Sequence, residues 1–331
     1  MKKILLIGGC GFIGHNLAIH LKKNFQVEIV DGLNVNNLFA FNKNDTENLE
    51  FYRKILLERL SIIEKEKINL NIIDVRNYHD TSYIINQVNP DVVIHLAAVS
   101  HANKSIKNPH NTFDHSLRTL ENVLDACRKN KPHLIYMSSS MVYGNFNGKN
   151  VSEDDEKNPI DIYGTLKLSG ELILKSYARV FDIPYTIIRP SALYGERCVS
   201  RRVGQIFIEN AIRGNDIIIN GSGEEKLDFT YIKDLVMGIE SCIKNDKSLN
   251  ETFNITFGEG RKINDLIQIL LEEFPRTKVI RKEKDKFSPE RGTLNISKAK
   301  KKINYSPNYN IEKGYREYIS WYKSKYSELE K

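Results

Sequence analysis

Two side chains pose the question of chemistry. Tyr163 and Lys167 stand four residues apart in Tyr163-Gly164-Thr165-Leu166-Lys167. On a helix that spacing puts them on one face. A phenol of pKa about 10 is a poor base at neutral pH unless a nearby cation favours its phenolate. Lys167 supplies such a cation. A Tyr-x-x-x-Lys pair alone is common by chance and also fits an ordinary surface pair. Ser139 adds a third group. It lies in Ser138-Ser139-Ser140, at the end of the apolar run Leu134-Ile135-Tyr136-Met137. Its hydroxyl can bond the same substrate oxygen that the phenol addresses. Ligands sit at strand ends in open α/β sheets.

These groups need a scaffold, and the start of the chain announces it. Lys2-Lys3-Ile4-Leu5-Leu6-Ile7 is long enough for one buried strand, and Gly8-Gly9-Cys10-Gly11-Phe12-Ile13-Gly14 follows at once. An amphipathic helix comes next, with Ile13, Leu17 and Leu21 on one face. Gly8 lets the chain turn tightly, Gly11 has no side chain to hold a pyrophosphate away, and Gly14 lets the helix pack closely. The helix N-terminus offers free amides and a partial positive charge to phosphates. The spacing is Gly-x-x-Gly-x-x-Gly, not the general Gly-x-Gly-x-x-Gly. Alone it would fit any strand-to-helix turn. Here a second strand, Val27-Glu28-Ile29-Val30, follows and ends in Asp31. A carboxylate at that distance accepts hydrogen bonds from ribose hydroxyls and repels a 2′-phosphate. No arginine lies near Asp31 to take that phosphate, so NAD is expected over NADP. An oxidised nicotinamide would be a second cation for Tyr163.

The chain has 331 residues, enough for a large core in one or two domains. No apolar run approaches a membrane span, and no signal peptide is expected before the first strand. Cys10, Cys127, Cys198 and Cys242 lack metal spacing and suit a reducing cytoplasm. The net charge of +7 fits nucleic-acid binding or a lysine-rich surface around an anionic ligand. The run Lys298-Ala299-Lys300-Lys301-Lys302 has no interleaved aromatics and reads as a solvated helix face, which argues against nucleic acid. His101, His110 and His115 lie close together, but no acidic or thiol ligand shares a fixed spacing with them, so no metal is expected. His95 ends a strand and reads as structural.

Strand and helix signals alternate. A polar helix from about 48 to 64 looks like an insertion. Ile72-Ile73-Asp74 reads as the third strand. Asp91-Val92-Val93-Ile94-His95-Leu96 has the near-continuous apolarity of a parallel strand covered on both faces. A helix from about 112 to 129 precedes the strand 134–137. Asn158-Pro159 marks the start of a helix that runs to about Phe181, and Tyr185-Thr186-Ile187-Ile188-Arg189 is the next strand. The fold class is α/β, a doubly wound parallel Rossmann sheet with a smaller mixed α/β C-terminal substrate domain. The expected division is 1–189 for cofactor and 190–331 for substrate, the border crossed more than once. Short helices are expected near 204–213, 263–273 and 311–325.

The glycine turn, His95-Leu96-Ala97-Ala98, Ser138-Ser139-Ser140-Met141-Val142-Tyr143-Gly144, the Tyr163–Lys167 segment, Leu193-Tyr194-Gly195 and Asp228-Phe229-Thr230-Tyr231-Ile232 occur in this order. Together they resemble the extended short-chain dehydrogenase/reductases, the NAD-dependent epimerase/dehydratase family of nucleotide sugars. The resemblance covers nearly the whole chain. It implies that Gly8, Gly11, Phe12, Ile13 and Gly14 bind the pyrophosphate. Asp31 and Asn34 meet the adenosine ribose, Asp74 and Val75 the adenine. Leu96, Ala97 and Ala98 line the cofactor channel, and Ser139, Tyr163 and Lys167 are catalytic, the last two also touching cofactor. A cytoplasmic homodimer pairing through the helices near 112–129 and 159–181 is expected.

Three positions depart from the pattern. His115 and Ala192 replace asparagines, and Leu227 replaces an arginine. The usual partners of the substrate diphosphate are thereby lost at Ala192 and Leu227. Ser140, Arg201, Arg202, Lys226 and Arg291 are the candidate substrate contacts, with Arg291 expected to take the diphosphate. Lys226, Arg201 and Arg202 also fit solvated surface charges. Family dehydratases carry acids after the Ser/Thr that matches Ser139. Ser140 and Met141 cannot act as such acids. Epimerisation of a nucleotide-linked sugar, through transient oxidation at carbon 4, is the leading expectation. A 4-keto reductase or dehydratase, or a non-catalytic NAD-binding or RNA-associated role, are the rivals.

Overall fold

A computed structural model describes residues 1–35, 37–40, 48–99, 102–283 and 289–329. Six strands alternate with helices: β1 (Lys3–Ile7), β2 (Gln26–Asp31), β3 (Asn69–Ile72), β4 (Val92–His95), β5 (His133–Met137) and β6 (Tyr185–Arg189). A seventh, Glu251–Asn254, joins beside β6, and the order across the parallel sheet is Glu251–Asn254, β6, β5, β4, β1, β2, β3. The order reverses beside β1, which opens a crevice at the carboxyl ends of β1 and β4. The central strands are built of Ile, Leu and Val because helices cover both faces. Leu6 and Ile94 face one core, Leu5 and Val93 the other.

The third strand stops at Ile72, two residues before the expected end. Ile73 still donates to the Asp31 carbonyl at 3.3 Å, but the Asp74 side chain turns to Arg76. The insertion helix is Leu49–Lys65. The helix expected at 112–129 is a run of helix Pro109–Phe113, a π turn Asp114–Arg118 and helix Thr119–Ala126. The long helix spans Ile162–Phe181, starting three residues after Pro159. Its cap is Asp161, whose carboxylate accepts from the Gly164 amide at 2.6 Å. The later helices are Val203–Ile212, Ile263–Glu273 and Ile311–Leu329. The helix Ile232–Lys244 was not anticipated. It sends Ile232, Leu235 and Ile239 into the same core as Leu17 and Leu21. Among the described residues no helix is long and apolar enough to cross a membrane.

Candidate active site

The first turn forms the cradle the glycines predict. Gly8 has φ of +83°, and a Cβ there would lie 2.7 Å from the Ala97 amide nitrogen. At Gly14 a Cβ would lie 2.5 Å from the Gly9 backbone, so this glycine seats the helix on its own turn. A Cβ at Gly11 would meet only the Gly8 carbonyl, at 3.3 Å, and points into the open crevice. The helix that begins at Phe12 has no side-chain cap and no acid in its first turn. Its first amides are therefore free for an anion. Asn34, Val75, Leu96, Ala97 and Ala98 line the same cavity. Asp74 lines it too, its carboxylate held below the usual range by the bonds from Arg76. These residues fit a dinucleotide.

Asp31 holds the turn. Its carboxylate accepts from the Cys10 amide at 2.8 Å and the Leu33 amide at 2.7 Å. Burial raises its pKa, and these bonds together with the positive charge of Arg59 pull it back. The expectation that no arginine lies near Asp31 is therefore corrected. Arg59 arrives from the insertion helix, remote in sequence, and is 1% exposed. It donates to the Arg197 carbonyl at 3.1 Å and lines the cofactor cavity. A signal existed: Arg59 falls on the buried stripe of Ile55, Leu56 and Ile63, and an arginine on an apolar stripe needs a partner.

The long helix brings the reactive groups to the end of β5. Lys167 donates to the Met137 carbonyl at 2.7 Å, and its ammonium lies 6.0 Å from the centre of the Tyr163 ring. Burial lowers the Lys167 pKa to about 8, with Glu171 opposing. Burial raises the Tyr163 phenol, while Arg202 and a hydrogen bond with Ser139 pull it down. The Ser139 hydroxyl also accepts from the Met141 amide at 3.2 Å. Tyr163, Lys167 and Ser139 are thus one cluster. His95 is buried beneath, its imidazole lowered to about 3 by burial and Lys167.

Behind this cluster lies an ion pair that sequence reasoning missed. Arg189 donates to Glu171 at 2.9 and 2.6 Å, both side chains 1% exposed. The Ser138 hydroxyl donates to Glu171 at 2.5 Å, and Arg189 also donates to the Tyr143 hydroxyl at 2.8 Å. Glu171 stands four residues beyond Lys167 on one helix face, which is the signal that could have found it.

Ser139, Tyr163 and Lys167 open on a second cavity of about 1120 Å³, also lined by Ser140, Arg201, Arg202, Lys226 and Arg291. Arg202 lines both cavities, and its buried Nε has no partner among the described residues. Arg201 and Lys226 are exposed at the rim. Arg291 donates to the Ser140 carbonyl at 3.1 Å and to the Ser140 hydroxyl. Ala192 adopts a left-handed φ of 35°, and it and the half-buried Leu227 both line this cavity. His115 faces the cofactor cavity, lowered by burial and Arg76. Among the described residues no His, Cys, Asp and Glu side chains group as a metal site. His101 lies outside the described residues.

A family model described as "NAD dependent epimerase/dehydratase family" matches residues 4–256. A Bacillus subtilis (strain 168) protein named "Uncharacterized UDP-glucose epimerase YtcB" is 29% identical over 98% of this chain and 99% of its own. UDP-N-acetyl-alpha-D-glucosaminuronate decarboxylase of Bacillus cytotoxicus is 27% identical over 97% of this chain and 98% of its own. The crystal structure of UDP-glucuronic acid 4-epimerase from Bacillus cereus, with UDP-glucuronic acid and NAD, superposes with a TM-score of 0.87. It shares 27% identity and covers 97% of this chain and 99% of that one.

Proposed function

Because the chain belongs to the NAD-dependent epimerase/dehydratase family, we propose that it epimerises a nucleotide-linked sugar at carbon 4. The cofactor is NAD, which supplies a hydride acceptor and, later, a hydride donor. Tyr163 takes the proton of the 4-hydroxyl, its phenolate favoured by Lys167, Arg202 and the Ser139 bond. Ser139 holds the same oxygen. The 4-keto sugar then turns within the wide cavity and Tyr163 returns the proton to the alcohol. Arg201, Arg202 and Lys226 meet the diphosphate. Arg202 lies next to the uncapped, acid-free N-terminus of helix Val203–Ile212.

One observation favours epimerisation over the dehydratase and decarboxylase reactions found among relatives. The residues after Ser139 are Ser140, whose hydroxyl accepts from Arg291, and Met141. Neither can move a proton at a neighbouring carbon. Exposed Phe113 and Leu172, on the helices expected to pair, support a homodimer. Four buried free thiols fit a reducing cytoplasm.

Denaturing the purified protein and weighing what is released tests the reading. NAD with a trace of nucleotide sugar is expected. Tyr163→Phe should keep NAD bound and abolish turnover. A stable 4-keto-6-deoxy product from the wild type would overturn epimerisation.

A further inference from the structure

Arg291 sets a problem that its own chain leaves unsolved. Its guanidinium is held beside the Ser139-Ser140-Met141 turn, donating to the Ser140 carbonyl at 3.1 Å, the Ser140 hydroxyl and the Met141 sulfur at 3.3 Å. It lies 4.4 Å over the Phe146 ring. The segment that carries it is clamped at both sides. Phe146 donates its amide to the Glu290 carbonyl at 2.9 Å, and Val151 donates to the Thr293 carbonyl at 3.0 Å. The position is therefore built into the fold. Yet no carboxylate of the described residues comes within 4 Å of this cation, while Arg189, in the layer behind, is fully paired. Burial drives the Arg291 pKa down to about 10, and Asp161 and Asp228 oppose this from a distance. A half-buried cation that has hydrogen bonds but no counter-charge is still costly. It lines the substrate cavity, so the missing anion is one that a substrate can bring.

Two anions are available on a nucleotide sugar, the diphosphate and a carboxylate on the sugar. The diphosphate leaves from the anomeric carbon, across the ring from carbon 4. Arg291 sits at the opposite end, against the turn whose Ser139 addresses carbon 4 together with Tyr163. Of its five N–H donors, the backbone and side chain of the turn take three, leaving two for a carboxylate. We infer that Arg291 recognises a carboxylate borne on the sugar next to the reacting carbon, so that the substrate is a nucleotide-linked sugar acid. This rests on the epimerase reading above and is offered in place of the expectation that Arg291 takes the diphosphate.

The test is calorimetric titration of NAD-loaded protein with UDP-glucuronate, UDP-glucose and UDP. The wild type is expected to bind UDP-glucuronate at least tenfold more tightly than UDP-glucose. Arg291→Gln should bring that ratio close to one. Arg291→Lys, which keeps the charge without the fork, should fall between. A wild-type ratio of one or below overturns the inference. So does a common loss for all three ligands in both variants, which would place Arg291 on the diphosphate or in the frame alone. If the wild type binds UDP and UDP-glucose but not UDP-glucuronate, only this inference fails. If it binds none of the three, and neither dTDP-glucose, GDP-glucose nor CDP-glucose, the nucleotide-sugar reading fails and carries this one with it.

Discussion

Glu171→Gln isolates the support beneath the reactive cluster. Glu171 accepts two bonds from Arg189 and one from Ser138, all buried. The amide keeps one acceptor oxygen but turns an NH2 group toward an Arg189 donor. Arg189 is then a buried cation left with neutral acceptors only: the remaining amide oxygen, the Tyr143 hydroxyl and the Glu153 carbonyl. Breaking a buried pair by removing one partner costs roughly 3–5 kcal/mol. For 331 residues the unfolding entropy is about 0.7 kcal/mol/K. The expected fall in Tm is therefore about 4–7 °C. Arg189→Met should cost a similar amount. The double variant should cost clearly less than the sum, because no orphan charge remains, but it cannot be neutral. The Tyr143 hydroxyl and the Glu153 carbonyl still lose the Arg189 donor. Thermal and urea unfolding of the four proteins, each with NAD removed, gives the cycle. Single losses below about 1 kcal/mol, or additive ones, would refute the view that this pair is the frame of the site.

Three further outcomes follow from the geometry. Gly11→Ala should fold with a nearly unchanged apo Tm but lose NAD, since its Cβ meets only one atom of the chain yet fills the crevice; Gly14→Ala, crowding Gly9 at 2.5 Å, should lose both stability and NAD, and absorbance of released cofactor with apo melting separates the two. Arg59→Met should weaken NAD binding about tenfold by fluorescence titration, because it removes the cation beside Asp31 and the donor that ties the insertion helix to the crevice. Lys167 loses its proton near pH 8 in the folded chain but near 10.5 when unfolded. Turnover should therefore fall above about pH 8 as the phenolate loses its cation. Stability should rise from pH 8 to 10.5, because the unfolded state then binds more protons. Lys167→Met should abolish both trends in rate and melting profiles.

What the sequence disclosed was local. The glycine turn, the Asp31 strand end and the Tyr163–Lys167 face are each written within a few residues, where spacing translates directly into geometry. The boundaries slipped where a side chain competed with a pattern. Asp161 took the cap that Pro159 suggested, and Asp74 left the third strand for Arg76. Elements fixed by distant partners were not legible. Strand Glu251–Asn254 is short and polar, and only its parallel pairing with β6 makes it part of the main sheet. The cations of the two cavities divide in the same way. Arg59 stood on an apolar stripe and could have been noticed, whereas nothing near Arg291 announces that its partner is Ser140, 151 positions earlier.

The long helix explains why so few residues fix the site. Tyr163, Lys167 and Glu171 repeat every four positions, so one face carries the proposed base, its cation and the anchor of the layer behind. That face must lie close on the sheet, and two glycines permit it. A Cβ at Gly164 would come within 2.7 Å of the Met141 carbonyl oxygen, and one at Gly170 would strike the Tyr136 hydroxyl. The helix is therefore pressed against the turn after Ser139 at one point and against β5 at another. Asp161 fixes its start by capping Gly164. Lys167 ties its middle to Met137, and Glu171 ties it to Ser138 and Arg189. Consecutive residues 137 to 141 thus each meet the helix or Arg291, and the Tyr163–Ser139 bond inherits its position from all of them. A base on such a frame would keep its orientation while a sugar turned, which is the demand that the proposed reaction at both faces of one carbon makes.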